Sequence, residues 1–340
     1  MKNYDLVILN NCPAFYKINL YNEIARHRSI FVVFIGYYNQ VLIDSDYKKR
    51  IHFPYTVLNE TELSKRPVIR SFFKLLSLFR HIRYNEIIFG GYVDPEFVAL
   101  SFLTSKKKNT LQTESAGETK LKGIRFILKK LFLTRYSKAL ASGKIHAEML
   151  RKMNFKGEIF ITKGVGLMGQ NRESQYIERG APLKFLYVGR LTAVKNIEFL
   201  INAFNENKQQ LTIIGKGELE DNLRAIAKDN IKFVGFVENK NLYKWYSSHD
   251  VFVLPSLSEP WGLVVEEALF HKCVLLLSSR VGCIHELLLD PQTGVSFDPE
   301  NLQDLQNSVA KVIENYHGYY KNVKKFSIEE KDREQIAAYL

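Results

Sequence analysis

Short runs of β-branched and aromatic residues recur along this sequence, each followed by a helical stretch. No other feature restricts its fold as much. In the first half the runs are DLVIL (5–9), FVVFIG (31–36), EIIFGG (86–91), NTLQT (109–113), KALASG (138–143) and EIFIT (158–162). In the second half they are LKFLYVG (183–189), QLTIIG (210–215), IKFVG (231–235), DVFVLP (250–255) and VLLLSS (274–279). The runs are continuously apolar, as in parallel sheets covered on both faces. At 340 residues the chain exceeds what one core comfortably serves. The two series meet around KGVGLMGQNRESQYIERGAP (163–182). The expectation is an α/β protein of two doubly wound, Rossmann-like domains, 1–163 and 164–320. Residues 321–340 would form a C-terminal helix returning toward the first domain. In such sheets ligands bind beyond the carboxyl ends of the strands, so the residues just after each run are where chemistry is sought.

Charge separates the halves. Residues 1–163 hold 28 lysines and arginines against 13 acids, while 164–340 hold 20 against 23. The basic half is expected to meet something anionic. Two of its stretches have an apolar face beside cations. In KGIRFILKKLFL (122–133), Ile124, Ile127, Leu128 and Leu131 oppose Lys122, Arg125 and Lys129; in RSFFKLLSLFRHIR (70–83), Phe72, Leu75, Leu76 and Phe79 lie beside Arg70 and Lys74. Each fits an anionic lipid interface or a core-facing helix with a solvated basic back. The charge excess favours the membrane. No nucleic-acid module is recognisable, so no nucleic-acid partner is expected. The longest uncharged run, 29–43, has 15 residues, short of the roughly 20 a bilayer span needs. MKNYDLVIL lacks the pattern of a signal peptide. Three cysteines without CxxC spacing argue for a reducing compartment. Together these point to a cytoplasmic protein peripherally associated with the inner face of the membrane.

Two stretches carry the chemistry. LYVGRLTAVKN (186–196) runs from a strand into Gly189, Arg190 and Lys195. Two cations at a sheet's carboxyl edge suit a diphosphate, though a pair of surface cations has the same spelling. SLSEPWGLVVEEAL (256–269) places Glu259, Glu266 and Glu267 in an apolar run, with a helix opening near Gly262. The first-turn amides of such a helix form an anion site. A buried carboxylate there needs either a partner within the protein or a ligand's hydroxyls, such as a ribose diol. The spacing leaves open whether Glu266 or Glu267 faces a ligand.

In the form EPWGLVVEEAL, with GRLTAVKN upstream and SSRVGCIHELLLDPQTGVSF downstream, residues 184–298 resemble the family-4 retaining glycosyltransferases. That resemblance implies the GT-B fold, its two domains facing across a cleft. It also implies a nucleotide diphosphate sugar donor, UDP-linked by family frequency with GDP next. The acceptor would be a hydroxyl of a lipid-linked glycan, lipopolysaccharide or capsular polysaccharide. By resemblance Arg190 and Lys195 hold the diphosphate, Glu267 the ribose hydroxyls, and Phe236 and Val237 flank the base. Glu259 with Trp261, Gly262, Leu263 and Val264 faces the sugar and phosphate. The catalytic set is then Glu259, Arg190 and Lys195, with no metal or cofactor required. Alternatives are a GT-B nucleotide-sugar epimerase and a non-catalytic subunit that binds nucleotide sugar or a membrane surface.

The sequence departs from that family at Lys272 and Val274, where Gly and Pro are usual. It also departs at Lys163-Gly164-Val165-Gly166 between the domains, where an interdomain contact could be lost, and at Asn11-Cys12-Pro13-Ala14 after the first strand. Pro13 and Glu114 are candidate acceptor or sugar contacts; Glu114 could equally cap the next helix. Gly215-Lys216-Gly217 lacks the remaining glycine of a dinucleotide fingerprint. Asp44-Ser45-Asp46 imitates a metal-binding pair but reads better as solvated loop acids. The histidines show no metal-ligand spacing.

Overall fold

The computed structural model describes residues 2–37, 47–91, 94–114, 124–167 and 182–340. Asp44, Ser45, Asp46 and Lys122 lie outside them, as do the side chains of Ile124 and Arg125. Two compact units form: residues 1–170 with 331–340, and residues 171–330. The division thus falls seven residues later than 163/164, and the returning segment is 331–340 rather than 321–340.

The first unit holds β1 (Lys2–Asn10), β2 (Ile30–Phe34), β3 (Tyr55–Val57), β4 (Ile82–Gly90), β5 (Asn109–Thr113), β6 (Lys138–Ala141) and β7 (Glu158–Ile161). They pair in the order β3-β2-β1-β4-β5-β6-β7, all parallel. Its helices are α1 (Phe15–Ala25), α2 (Val68–Phe79), α3 (Pro95–Leu103), α4 (Ile124–Leu133) and α5 (Lys144–Lys152). Alternate residues of β1 serve opposite faces of the sheet. Val7 and Leu9 join Leu75, Phe97, Leu100, Phe132 and Leu150 of α2–α5. Leu6 and Ile8 pack instead with Ile18, Tyr21 and Ile24 of α1 and with Tyr339 of the returning segment.

The second unit holds β8 (Lys184–Val188), β9 (Gln210–Ile214), β10 (Ile231–Gly235), β11 (Val251–Leu254), β12 (Val274–Ser278) and β13 (Gly294–Phe297). Their order is β10-β9-β8-β11-β12-β13, again all parallel. The helices are α6 (Ile197–Asn207), α7 (Glu220–Ile226), α8 (Asn239–Tyr246), α9 (Leu263–Phe270), α10 (Leu302–Glu314), α11 (Tyr316–Lys325) and α12 (Ile328–Ala337), the last crossing the division between units. Every residue of β11 is fully buried, as both-face coverage requires.

The two basic stretches resolve differently. The first ends sooner than its periodicity suggests: α2 stops at Phe79, and Ile82 and Arg83 open β4. Leu75 is in the core and Phe72 and Phe79 pack against it, so that stripe faces inward. In α4 the core contacts come from Phe126, Phe132 and Leu133. Ile127, Leu128 and Leu131 are 65%, 58% and 54% exposed, so the apolar stripe faces outward.

The departures from the family pattern have local reasons. Lys272 takes the left-handed turn after α9 (φ 66°), where glycine is least strained, and its ammonium reaches the Phe326 carbonyl at 3.4 Å. Burial pushes that ammonium below its ordinary pKa, against the opposing effect of Glu329. Val274 donates its N–H to the Asp250 carbonyl (2.9 Å), a bond proline cannot make. Gly164 and Gly166 admit close neighbours: an added Cβ would meet Gln335 Oε1 at 2.1 Å and the Tyr16 carbonyl oxygen at 2.6 Å respectively. With the Lys163–Glu334 ion pair, these contacts tie residues 163–166 into the first unit.

Candidate functional site

In the second sheet the strand order reverses between β8 and β11, the position where open α/β sheets bind ligands. The loops leaving those strands carry both candidate motifs. The β8 loop runs through Gly189 and Arg190 into a turn of 3₁₀ helix at Ala193–Lys195. The β11 loop runs through Ser256 to Gly262 and α9. Leu257 N–H donates to the Val194 carbonyl (2.9 Å), joining the two loops directly. Lys195 forms an ion pair with Glu259, their side chains only 14% and 13% exposed.

Glu259 is held from the other side as well. Its N–H donates to the Arg280 carbonyl (3.3 Å), its carbonyl accepts from Gly282 N–H (2.9 Å), and the Trp261 carbonyl accepts from Cys283 N–H (3.2 Å). The turn therefore has a fixed backbone before α9 begins. Gly262 caps that helix at φ 97°, a conformation that favours glycine. Val265 N–H already donates to the Gly262 carbonyl (2.9 Å). The Leu263 and Val264 amides, which precede the first bond of the helix, lie at the positive end of its dipole.

Arg190 reaches the same place by its backbone. The buried Tyr187 hydroxyl donates to the Arg190 carbonyl at 3.0 Å. Burial drives the Tyr187 phenol well above its ordinary pKa, the Glu259 charge adds to the rise, and the Arg190 charge opposes it. Both charges thus act on one buried ring, with the Arg190 side chain exposed to solvent. Phe236, directly after β10, is 63% exposed although strongly apolar, and Val237 beside it is half-buried.

The two adjacent acids on α9 have separate partners. Glu266 Oε1 accepts from the Trp261 indole N–H at 2.6 Å, which locks the Pro-Trp-Gly turn onto the helix. Glu267 Oε2 accepts from the buried Tyr246 hydroxyl at 2.9 Å. Leu263 and Val264, at the opening of α9, are half-buried.

In the first unit, Glu114 follows β5 and accepts from Gln112 Nε2 at 2.9 Å while forming an ion pair with the buried Lys17 of α1. Pro13 is buried in the turn before α1. The structure therefore brings Lys195, Glu259, Trp261, Gly262, Leu263 and Val264 together at one edge of the second sheet, with Arg190 in the same β8 loop. Glu267 lies further along α9, against Tyr246 of α8. Phe236 and Val237 follow a strand of that same sheet, whereas Glu114 and Pro13 belong to the first unit.

Sequence reasoning passed over Thr192 and Ser256. Both lie in the two joined loops, and each has a buried hydroxyl oxygen without a hydrogen-bond partner in the structure. The sequence signal was their position just after a strand, shared with many serines and threonines. Sequence reasoning also passed over Tyr246 and Trp261 as partners for the acids, since neither pairing follows from spacing.

Residues 170–332 match the family model for glycosyl transferases group 1. An uncharacterized glycosyltransferase of Methanocaldococcus jannaschii is 34% identical over 140 residues, which is 38% of this chain and 36% of that protein. The match thus spans little more than a third of that relative's length. The lipopolysaccharide outer core galactosyltransferase WaaB superposes with a TM-score of 0.74 at 14% identity, covering 98% of this chain and 99% of that one. Anabaena HepE, solved in complex with UDP, superposes at 0.67 with 14% identity, covering 98% and 94%. Residues 170–332 are thus similar to the group 1 glycosyl transferases, and the chain carries the GT-B fold of those solved structures.

Proposed function

We propose that the protein is a retaining glycosyltransferase that moves a sugar from a nucleoside diphosphate to a hydroxyl of a lipid-linked glycan, lipopolysaccharide or capsular polysaccharide. UDP is the first choice of nucleotide and GDP the second. The observation that carries this reading is the convergence of Lys195, Glu259 and the start of α9 where the strand order reverses. The anomeric carbon–oxygen bond breaks with its electron pair passing to the diphosphate. Arg190, Lys195 and the α9 amides face the charge that grows there, which stabilises the transition state. The acceptor oxygen bonds to the anomeric carbon on the same face, and its proton passes to the departing phosphate oxygen. Glu259 orients the sugar, Glu267 binds the ribose hydroxyls, and Phe236 with Val237 flanks the base. The reading assigns no metal and no cofactor.

A panel of nucleotide sugars tests it. A true donor at about 100 times its dissociation constant adds about 2.7 kcal/mol of stability and raises the melting temperature. Release of nucleoside diphosphate is expected to depend on added acceptor. A new nucleotide sugar formed from donor alone would instead mean an epimerase, and binding without any turnover a carrier subunit.

The same reading gives the basic half an anionic membrane surface as partner, on the inner face of the membrane. The outward stripe of Ile127, Leu128 and Leu131 supports it, beside Lys130 at the end of α4. Ile69 and Phe73 on α2 are likewise exposed. Among the described residues no helix is long and apolar enough to cross a membrane. Each buried aliphatic side chain contributes about 1.5–3 kcal/mol and each nearby cation about 1 kcal/mol. Vesicles containing phosphatidylglycerol are expected to bind the protein, less so as salt rises. Changing Ile127, Leu128 and Leu131 together to serine should abolish binding without lowering the melting temperature. Equal binding to neutral vesicles, or none to either kind, would remove the membrane from the reading.

A further inference from the structure

Glu267 sits on an apolar helix and is buried, so its carboxylate is useful only if something fixes its direction. The Tyr246 hydroxyl donates to Glu267 Oε2 at 2.9 Å. The ring bearing that hydroxyl is itself held. It stacks on His271 with centroids 5.7 Å apart and planes 4° from parallel, and His271 Nδ1 lies 3.2 Å from Ser247 Oγ. The Tyr246 carbonyl also accepts from the Cys273 thiol at 3.3 Å. Tyr246 closes α8, a helix that opens two residues after Val237, so about 12 Å of helix joins the exposed Phe236 to the residue holding Glu267.

We propose that Tyr246 is a positioning residue that aims the Glu267 carboxylate at the vicinal hydroxyls of a ribonucleotide. This role rests on the nucleotide-sugar reading of the same helix. A carboxylate offers about four lone-pair sites, of which the phenol takes one. Donation from a neutral hydroxyl steadies the anion without cancelling its charge. A cation there would compete with the sugar hydroxyls for the same oxygens.

The test measures affinity for UDP and GDP and for their 2′-deoxy and 3′-deoxy counterparts. The wild type is expected to prefer the ribonucleotide. Tyr246→Phe removes one oxygen atom. It should weaken the preferred ribonucleotide about tenfold while leaving the deoxy forms nearly unchanged, so the ratio collapses. A structural role alone would weaken all of them together. In combination with Glu267→Gln the effects should not add, because both remove one interaction. If Tyr246→Phe does not fold, His271→Ala, which keeps the hydroxyl but frees the ring, should narrow the ratio part-way. An unchanged ratio in the folded variants overturns the positioning role. A wild type that binds none of these nucleotides overturns the nucleotide-sugar reading beneath it.

Discussion

Replacing Lys195 with alanine is expected to lower turnover by about 10²–10³-fold, the scale of losing one dedicated stabiliser of transition-state charge. It should also cost stability, because it leaves the largely buried Glu259 without its ion-pair partner. Breaking a buried pair from one side costs roughly 3–5 kcal/mol, and the residual exposure of both groups places this one toward the lower end. Pairing Lys195→Met with Glu259→Gln should restore most of the stability and none of the turnover. Arg190→Ala is expected to separate the two effects from the opposite direction. Its side chain is exposed, so the melting temperature should hold while turnover falls by a similar factor. Steady-state kinetics beside urea denaturation reads both quantities. Near-normal turnover in both single variants would remove the diphosphate from this site.

Gly215→Ala is expected to have the largest effect on folding. A Cβ there would stand 1.8 Å from the Gly189 carbonyl oxygen, and the residue's φ of 142° is one that other residues rarely adopt. Both obstacles are backbone, which cannot swing aside as a long side chain can. The neighbouring loops are stitched together by Gly189 N–H to Ile214 O (3.0 Å), Leu191 N–H to Lys216 O (3.0 Å) and Gly215 N–H to Gly235 O (2.9 Å). Overpacking and backbone strain each cost about 1–3 kcal/mol, so a loss of about 2–6 kcal/mol is expected. Because the β8 loop carries Arg190, donor affinity should fall as well. Gly318→Ala is the control: it lies within α11 with nothing inside 4 Å of an added Cβ, and should be neutral or stabilise by up to about 1 kcal/mol. If Gly215→Ala unfolded at the wild-type urea midpoint, the close approach of the two loops would be disproved.

That close approach also explains Gly215-Lys216-Gly217, whose glycines serve contact between loops: an added Cβ at Gly217 would lie 2.2 Å from the Leu191 carbonyl oxygen. The spelling was visible in the sequence, but its reason was not. Buried parallel strands were legible because they are apolar throughout and need no partner to be recognised. β3 was not, since its residues are all half-buried and carry no pattern. β13 was visible only through family resemblance. The overrun of α2 arose because β4 begins with the mixed residues Ile82-Arg83-Tyr84, which continue a helical periodicity as well as they begin a strand. For the candidate site, the loops and the glutamates were legible from position and likeness. The Tyr246–Glu267 bond was not, because it joins residues 21 apart on two helices. The apolar stripe of α4 was also legible, but periodicity alone cannot say which stripe of a helix turns inward.

The return of residues 331–340 to the first unit sets an order of assembly during synthesis. Tyr339 belongs to the cluster built on Leu6 and Ile8, yet it leaves the ribosome only after the entire second unit has emerged. The first unit's sheet must therefore wait with that face unfinished until the second unit has been made.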